Sequence, residues 1–167
     1  MTSAHRPDGP LSALGLTVIA ATIVLDQATK TVAEAMLPLT EAIPLVPILS
    51  FYRIHNPGIA FSLLAGLGGF GLILLTLAIS VVVIGFWSRA TEGGRIAAIG
   101  YALILGGAFG NLVDRLLHGH VVDFLLLHFG LETLFVFNLA DAALTVGPVL
   151  LLYTYVWPKR EDTPATG

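Results

Sequence analysis

The chain has 167 residues, of which 56% are hydrophobic and 11% are charged, and its formal net charge at pH 7 is −3. Ordinary soluble domains carry roughly 25% charged residues, so this composition argues strongly against a water-soluble fold. The sequence contains no cysteine, which excludes disulfide frameworks, thiol nucleophiles and cysteine metal sites. The small negative charge offers no basic surface for nucleic acid.

Four stretches are apolar enough to cross a bilayer, which requires about 20 mostly apolar helical residues. They cover about residues 11–37, 67–87, 96–117 and 137–157 of a single integral membrane domain, 1–167, that ends in a polar tail, 158–167. The first stretch is charged and long and lacks a small-residue cleavage pattern, so we expect an uncleaved span rather than a signal peptide. The sequence therefore predicts a membrane all-α fold, a bundle of four transmembrane helices.

The basic residues of the short loops predict the orientation of this bundle, because cytoplasmic loops are enriched in lysine and arginine. With the amino terminus inside, five basic loop residues lie inside and two lie outside. The inner residues are Arg6, Arg89, Arg95, Lys159 and Arg160, and the outer residues are Arg53 and Arg115. We therefore expect both termini in the cytoplasm.

The two outer connections, 38–66 and 118–136, carry signals of local structure. The β-branched and aromatic residues of 49–55 predict one or two short strands at the membrane surface. The apolar run 121–129 is too short to span a bilayer, so we expect it to lie in the membrane interface or to re-enter it.

Polar residues of the spans gather towards the outer face of the membrane in this orientation, at the same level as Asp123 in the second outer connection. They are Asp26, Lys30, Asn111, Asp114, Arg115, Asn138 and Asp141. Ionisable groups inside a membrane cost about 2.5–3.5 kcal/mol each on insertion scales, so they usually face the bundle interior and mark a function or a partner.

Spacing groups several of these residues on shared helix faces. Asp26 and Lys30 are four residues apart and can form an ion pair, which either holds the first helix in the bundle or contacts substrate. Asn111, Asp114 and Arg115 also share a face. We interpret Asp114 as a structural support, whereas Arg115 is open between an ion pair with a carboxylate and binding of a substrate carbonyl.

Asp123 and Asp141 are the strongest functional candidates. Asp141 lies one turn after Asn138 at the start of the fourth span and has no cation near it in sequence, and Asp123 stands in an apolar run. Such carboxylates must be protonated, paired across helices or hydrated, and each state perturbs the pKa as in functional groups. Two aspartates that share one proton could activate water and protonate a carbonyl oxygen or a leaving amine.

Other polar patterns receive structural interpretations. The sequence has no His-Glu-x-x-His metal motif and no Gly-x-Ser-x-Gly nucleophile motif. His118 and His120 could bind a metal, but we interpret them as surface residues. Gly106, Gly107 and Gly110 form a small-residue pattern that predicts close helix packing.

Four sequence blocks carry a family resemblance. They are Asp26-Gln-Ala-Thr-Lys30, Asn56-Pro-Gly-Ile-Ala-Phe61, Gly106-Gly-Ala-Phe-Gly-Asn-Leu-Val-Asp-Arg115 continuing through Gly119-His-Val-Val-Asp-Phe124, and Phe137-Asn-Leu-Ala-Asp-Ala142. In order, spacing and four-span layout they resemble the bacterial lipoprotein signal peptidase (signal peptidase II) family, over about residues 11–157.

This resemblance implies an intramembrane aspartyl endopeptidase of the bacterial cytoplasmic membrane that acts near the outer leaflet. Such enzymes remove signal peptides from prolipoproteins by cutting just before a cysteine that carries diacylglycerol. The resemblance makes Asp123 and Asp141 the catalytic pair. Further residues of the substrate pocket and its support are Asn56, Gly58, Phe61, Asn111, Arg115, Asn138, Asp26, Lys30 and Asp114.

The resemblance also implies a small extracytoplasmic β-cradle within 38–66. It implies no cofactor and no metal, and its partners are diacylglyceryl-modified prolipoproteins and membrane lipid. A monomer is expected, because one bundle holds every required group.

Two other classes of function compete with this interpretation. A small proton-coupled transporter could use buried carboxylates, but it would need them near the midplane, whereas here they gather at one end. A structural subunit would explain the pair of Asp26 with Lys30 but gives no reason for Asp123 and Asp141.

Overall fold

A computed structural model describes residues 6–58, 68–130 and 132–156 of the chain. Its helices are α1 (Ala13–Met36), α2 (Gly68–Arg89), α3 (Gly94–His118) and α4 (Leu139–Val156), and its strands are β1 (Ala42–Val46), β2 (Leu49–Asn56), β3 (Val121–Phe129) and β4 (Glu132–Phe137). All four helices are long and apolar enough to cross a membrane. Their ends lie within two residues of the predicted spans, which confirms the four-helix prediction. The polar tail lies outside the described residues.

Helix α3 is the central helix of the bundle and packs against α1, α2 and α4. Gly119 ends this helix in the left-handed conformation, with φ 75°, and its backbone N–H donates to the carbonyl of Arg115. The outward faces of the helices carry large apolar side chains; Val81 and Phe86 of α2, for example, are 69% and 66% exposed. Lipid is the environment that suits such surfaces.

Glycines of α3 allow its neighbours to approach closely. A Cβ atom added at Gly107 would lie 2.5 Å from the carbonyl oxygen of Ala140 in α4, and one added at Gly106 would lie 2.6 Å from Thr22 in α1. At Gly110 it would lie 2.7 Å from the Asp26 carboxylate. The predicted packing role of these three glycines is confirmed.

The two outer connections form one antiparallel sheet in the order β1-β2-β3-β4. The prediction of one or two short strands from the run 49–55 is confirmed by β2, which covers that run, and its partner β1 precedes it. In the central pair, Asn56 of β2 lies opposite Val121 of β3, and His55 lies opposite Val122. This register brings β3 and the end of β2 to the bundle.

The sheet is larger than the small β-cradle predicted beside the helices. The second outer connection, expected to lie in the membrane interface or to re-enter it, contains the strands β3 and β4. The first four residues of β3 are all buried, so this strand has no polar alternation. A stretch buried on both faces shows no alternation of polar and apolar residues, so periodicity cannot distinguish it from other apolar segments.

We predict that Gly107→Ala destabilises the bundle by about 1–3 kcal/mol, because the added methyl group forces α3 away from the α4 backbone. Gly69→Ala in α2 is the matched control, since nothing lies within 4 Å of its added Cβ. Denaturant titration of both variants in detergent measures the difference. Equal stability of the two variants would contradict the close contact between α3 and α4.

Candidate active site

Asp123 lies in β3 with 1% of its surface exposed, and both of its carboxylate oxygens accept hydrogen bonds. Asn138 directly precedes α4, and its Nδ2 donates to Asp123 Oδ1 at 2.6 Å. Asn56 lies at the end of β2, and its Nδ2 donates to Asp123 Oδ2 at 2.9 Å. The carboxylate is therefore held between the sheet and the start of α4.

The Asn56 side chain is fixed by the turn that follows it. The backbone N–H of Gly58 donates to Asn56 Oδ1 at 2.9 Å, which leaves the amide NH2 for Asp123. Gly58 has φ +103°, and an added Cβ atom would collide with the side chain of Leu72. Only glycine satisfies both conditions, so Gly58 supports the site through Asn56.

Asp141 lies in the first turn of α4 and forms a reciprocal cap with Asn138. The backbone N–H of Asp141 donates to Asn138 Oδ1 at 3.0 Å, and the backbone N–H of Asn138 donates to Asp141 Oδ2 at 3.2 Å. This arrangement is a capping box, which satisfies two free N–H groups at the helix start. Asn111 Nδ2 of α3 donates to the other oxygen, Oδ1, at 2.8 Å. The cap and Asn111 together set the direction of the carboxylate.

A buried lysine lies behind this pair. Lys30 is 3% exposed, and its ammonium lies 2.7 Å from Asp26 Oδ2, 2.8 Å from Asp114 Oδ2 and 2.9 Å from Asn111 Oδ1. An ammonium has three donors, so these contacts satisfy it completely. The predicted ion pair of Asp26 with Lys30 is confirmed.

The two carboxylates beside Lys30 attach it to the elements that carry the candidate catalytic aspartates. Asp26 Oδ1 accepts the backbone N–H of Ala140 in the first turn of α4 at 2.9 Å. A negative group suits this position because the first N–H groups of a helix lack partners within it. Asp114 Oδ2 accepts the backbone N–H of Val122 in β3 at 3.2 Å. These contacts agree with the interpretation of Asp114 as a structural support.

Gln27 is a member of this network that the sequence analysis missed. Its Nε2 donates to Asp114 Oδ1 at 2.7 Å and to the carbonyl of Gly110 at 3.2 Å. Gln27 lies three residues before Lys30 and shares its helix face, but its partner Asp114 lies on another helix, so the contact follows only from the fold.

The sequence left Arg115 open between an ion pair with a carboxylate and binding of a substrate carbonyl, and the described residues show no such ion pair. Its Nη1 lies 3.5 Å from the carbonyl of Asn111, a contact at the limit of hydrogen bonding. Its buried Nε has no hydrogen-bond partner among the described residues, and no described carboxylate forms a salt bridge with it. Most of the guanidinium is therefore left for a ligand.

A cavity of about 770 Å³ lies in front of the two aspartates, between α2, α3, α4 and the sheet. Its polar side chains include Asp123, Asp141, Asn111 and Arg115, and the rest of its wall is mainly apolar. A few convergent polar groups in an apolar cavity are typical of sites that hold an apolar ligand and act on one polar bond. Phe61 lies outside the described residues.

The pKa of Asp123 is raised to about 6, chiefly because burial disfavours its ionised form. The hydrogen bond from Asn56 opposes this rise, and the negative charge of Asp141 adds to it. A carboxyl group with this pKa and a second carboxylate beside it can hold one proton between them near neutral pH. The geometry therefore suits general acid–base chemistry.

We predict that Lys30→Met lowers the free energy of unfolding by about 3–5 kcal/mol, because it leaves two buried carboxylates without their cation. Arg95→Met, which removes an exposed cation from the first turn of α3, should stay within about 0.5 kcal/mol of the parent. Denaturant titration in detergent compares the two variants. A Lys30→Met protein as stable as the parent would show that the network is not a structural support.

Comparisons with known proteins agree with the geometry. The family model described as Signal peptidase (SPase) II matches residues 18–157. The chain is 47% identical over 125 residues to a lipoprotein signal peptidase of Sinorhizobium fredii, and the match covers 75% of each protein. It is 42% identical over 150 residues to a lipoprotein signal peptidase of Mesorhizobium japonicum, and that match covers 89% of each protein. A solved bacterial membrane enzyme superposes with a TM-score of 0.77 at 23% identity, over 95% of this chain and 98% of that one, which shows the shared fold. The chain belongs to the signal peptidase II family.

Proposed function

We propose that Asp123 and Asp141 are the catalytic pair with which this protease removes signal peptides from prolipoproteins. The observation that carries the proposal is their placement: the buried Asp123 of β3 and the half-buried Asp141 of α4 line one apolar cavity, and amide donors hold both carboxylates. Membership of the signal peptidase II family supports the reaction. The transporter alternative receives no support from the relatives, and the carboxylates lie at one end of the bundle.

The reaction is a direct attack of water on the scissile peptide bond. The ionised aspartate takes a proton from the water as its oxygen bonds to the carbonyl carbon, and the protonated aspartate donates a proton to the carbonyl oxygen. Collapse of the tetrahedral intermediate breaks the C–N bond, and the amine leaves with a proton from the pair. No covalent enzyme intermediate forms, and no cofactor or metal takes part.

The surrounding amides and Arg115 have separate roles in this mechanism. Asn56, Asn111 and Asn138 hold the carboxylates in position before substrate arrives, so little reorganisation is needed during the reaction. Arg115 lines the cavity with a guanidinium that forms no salt bridge with a described carboxylate. We assign it to binding a backbone carbonyl of the substrate.

The substrate is a prolipoprotein whose cysteine already carries diacylglycerol, and cleavage occurs just before that cysteine. The apolar walls of the cavity suit a signal helix and acyl chains. The site lies at the ends of α1 and α3 and at the start of α4, beside the sheet. With both termini in the cytoplasm, this end faces the outer leaflet of the bacterial cytoplasmic membrane, and the sheet is the extracytoplasmic β-cradle. One chain contains the whole site, so a monomer suffices.

The direct test is cleavage of a diacylglyceryl-modified prolipoprotein by the purified chain in detergent. Asp123→Asn and Asp141→Asn should each lower kcat at least about 10³-fold, because each removes one partner of the acid–base pair. Asp8→Asn, the same change in an exposed side chain near the amino terminus, should retain the parent rate. Activity near the parent level in either active-site variant, once folded, would move catalysis to other residues.

The pH dependence of the reaction tests the shared proton. The active pair carries one proton, so activity falls as the pH rises through its upper apparent pKa. Asn56→Leu removes a hydrogen bond that lowers the pKa of Asp123, so the pKa rises and the alkaline limb of kcat/KM should move to higher pH. An alkaline limb that stays in place or moves to lower pH would contradict the proposed effect of Asn56 on the pKa of Asp123.

Lipid anchoring of the substrate should control the rate. Diacylglycerol fixes the scissile bond at the depth of the aspartates, and such positioning lowers the barrier. We expect the unmodified prolipoprotein to be cut far more slowly than the modified one under the same detergent conditions. Equal rates would show that lipid does not position the bond.

A further inference from the structure

Three side chains with metal-ligating atoms meet at the end of α1 that faces the sheet. Glu34 belongs to α1, His55 to β2, and His120 to the connection between α3 and β3, and one ligand atom from each lies within 4.8 Å of the others. Glu34 Oε1 and His55 Nε2 are 3.8 Å apart, and the centroids of the two imidazole rings are 4.1 Å apart. The cluster thus joins three elements that are distant in sequence.

We infer that Glu34, His55 and His120 form a binding site for a divalent transition metal ion of the Zn²⁺ type. Two imidazoles and one carboxylate are a ligand set that Zn²⁺ takes in proteins, with water in a fourth position. Bonds of about 2.0–2.2 Å around a tetrahedral ion place the ligand atoms about 3.3 Å apart. The side chains must therefore approach each other by at most about 1.5 Å.

The surroundings allow this approach and leave ligand atoms available. The side chains of Glu34 and His55 are 41% and 40% exposed, so they can adjust and water can fill the remaining position. Nε2 of His120 is buried and has no hydrogen-bond partner in the described part of the chain. A buried nitrogen of this kind costs free energy until it binds a partner, which a metal ion or its water supplies.

The backbone around the cluster is already fixed. Arg53 Nη1 donates to the backbone carbonyl of Glu34 at 3.0 Å, which ties the end of α1 to β2 and leaves the Glu34 carboxylate uncommitted to Arg53. His55 is paired with Val122 in the sheet, two residues after His120. Backbone contacts therefore hold the segments that carry these side chains in place. His120, interpreted from the sequence as a surface residue, is one of the three.

The cluster is separate from the aspartate pair and independent of the proposed catalysis. Successive residues of a strand point to opposite faces, so His55 points away from the face on which Asn56 contacts Asp123. A bound ion would join α1, β2 and the α3–β3 connection beside that contact. Its expected effect is to stabilise the folded protein, since it binds only where all three elements are assembled.

Calorimetric titration of the full chain with ZnCl2 tests the inference. The protein is purified in detergent without a histidine tag and treated with a chelator, and the parent is compared with His55→Ala, His120→Ala and Glu34→Gln. Loss of one direct ligand should weaken saturable binding at least about tenfold. His128→Ala is the matched control, because His128 bonds to Ser50 and lies outside the cluster. It should bind like the parent.

Two further measurements use the same proteins. ZnCl2 should raise the midpoint of thermal unfolding of the parent and of His128→Ala, but not of His55→Ala. X-ray absorption of the Zn²⁺-loaded parent should show two imidazole ligands, a result that requires no variant to fold. Absence of saturable binding by the parent, undiminished binding in both cluster histidine variants, or a spectrum without imidazole scattering would overturn the site.

Discussion

The buried ammonium of Lys30 contacts Asp26, Asp114 and Asn111, and each contact leads to a different part of the candidate active site. Asp26 reaches the first turn of α4, Asp114 reaches the backbone of β3, and Asn111 donates to Asp141. Charges inside a membrane protein find little water to compensate them, so these contacts must form together. Lys30 therefore connects the fold of the bundle to the position of both candidate catalytic groups.

The ammonium also determines how Asn111 can act. An amide has an acceptor end and a donor end, and Lys30 occupies the acceptor, Oδ1, at 2.9 Å. The NH2 end is thus directed to Asp141, whose Oδ1 accepts its hydrogen bond at 2.8 Å. Gly110 completes this arrangement, because any larger residue there would displace the carboxylate of Asp26. Close helix packing at Gly110 and the contacts of Lys30 therefore act together to position the side chains of Asp26 and Asn111.

The sequence predicted those features that depend on local patterns. Apolar length located the four helices, and a spacing of four residues paired Asp26 with Lys30. Burial cost in a membrane singled out Asp123 and Asp141, whereas the pocket roles of Asn56 and Asn138 came from the family resemblance alone. Their hydrogen bonds to Asp123 link positions 67 and 15 residues apart, which no local pattern reveals.

The features that the sequence did not predict depend on contacts between distant segments. Strand β3 pairs with β2 and β4 pairs with β3, and the first four residues of β3 are all buried, so the strand shows no alternation. Gln27 gains its role from the position of Asp114 on another helix. The cluster of Glu34, His55 and His120 likewise forms only when α1, the sheet and the α3–β3 connection are assembled.

The central claim is that Asp123 of the sheet and Asp141 of α4 face each other across one site in the membrane-embedded protein. The chain contains no cysteine, so paired cysteine substitutions give an unambiguous test. Asp123→Cys combined with Asp141→Cys should form an intramolecular link with a short bifunctional thiol reagent in membranes, detected by mass spectrometry of the joined peptides. Asp123→Cys combined with Asp8→Cys should not. Failure of the first pair to link, although a monofunctional reagent labels each position, would contradict the account.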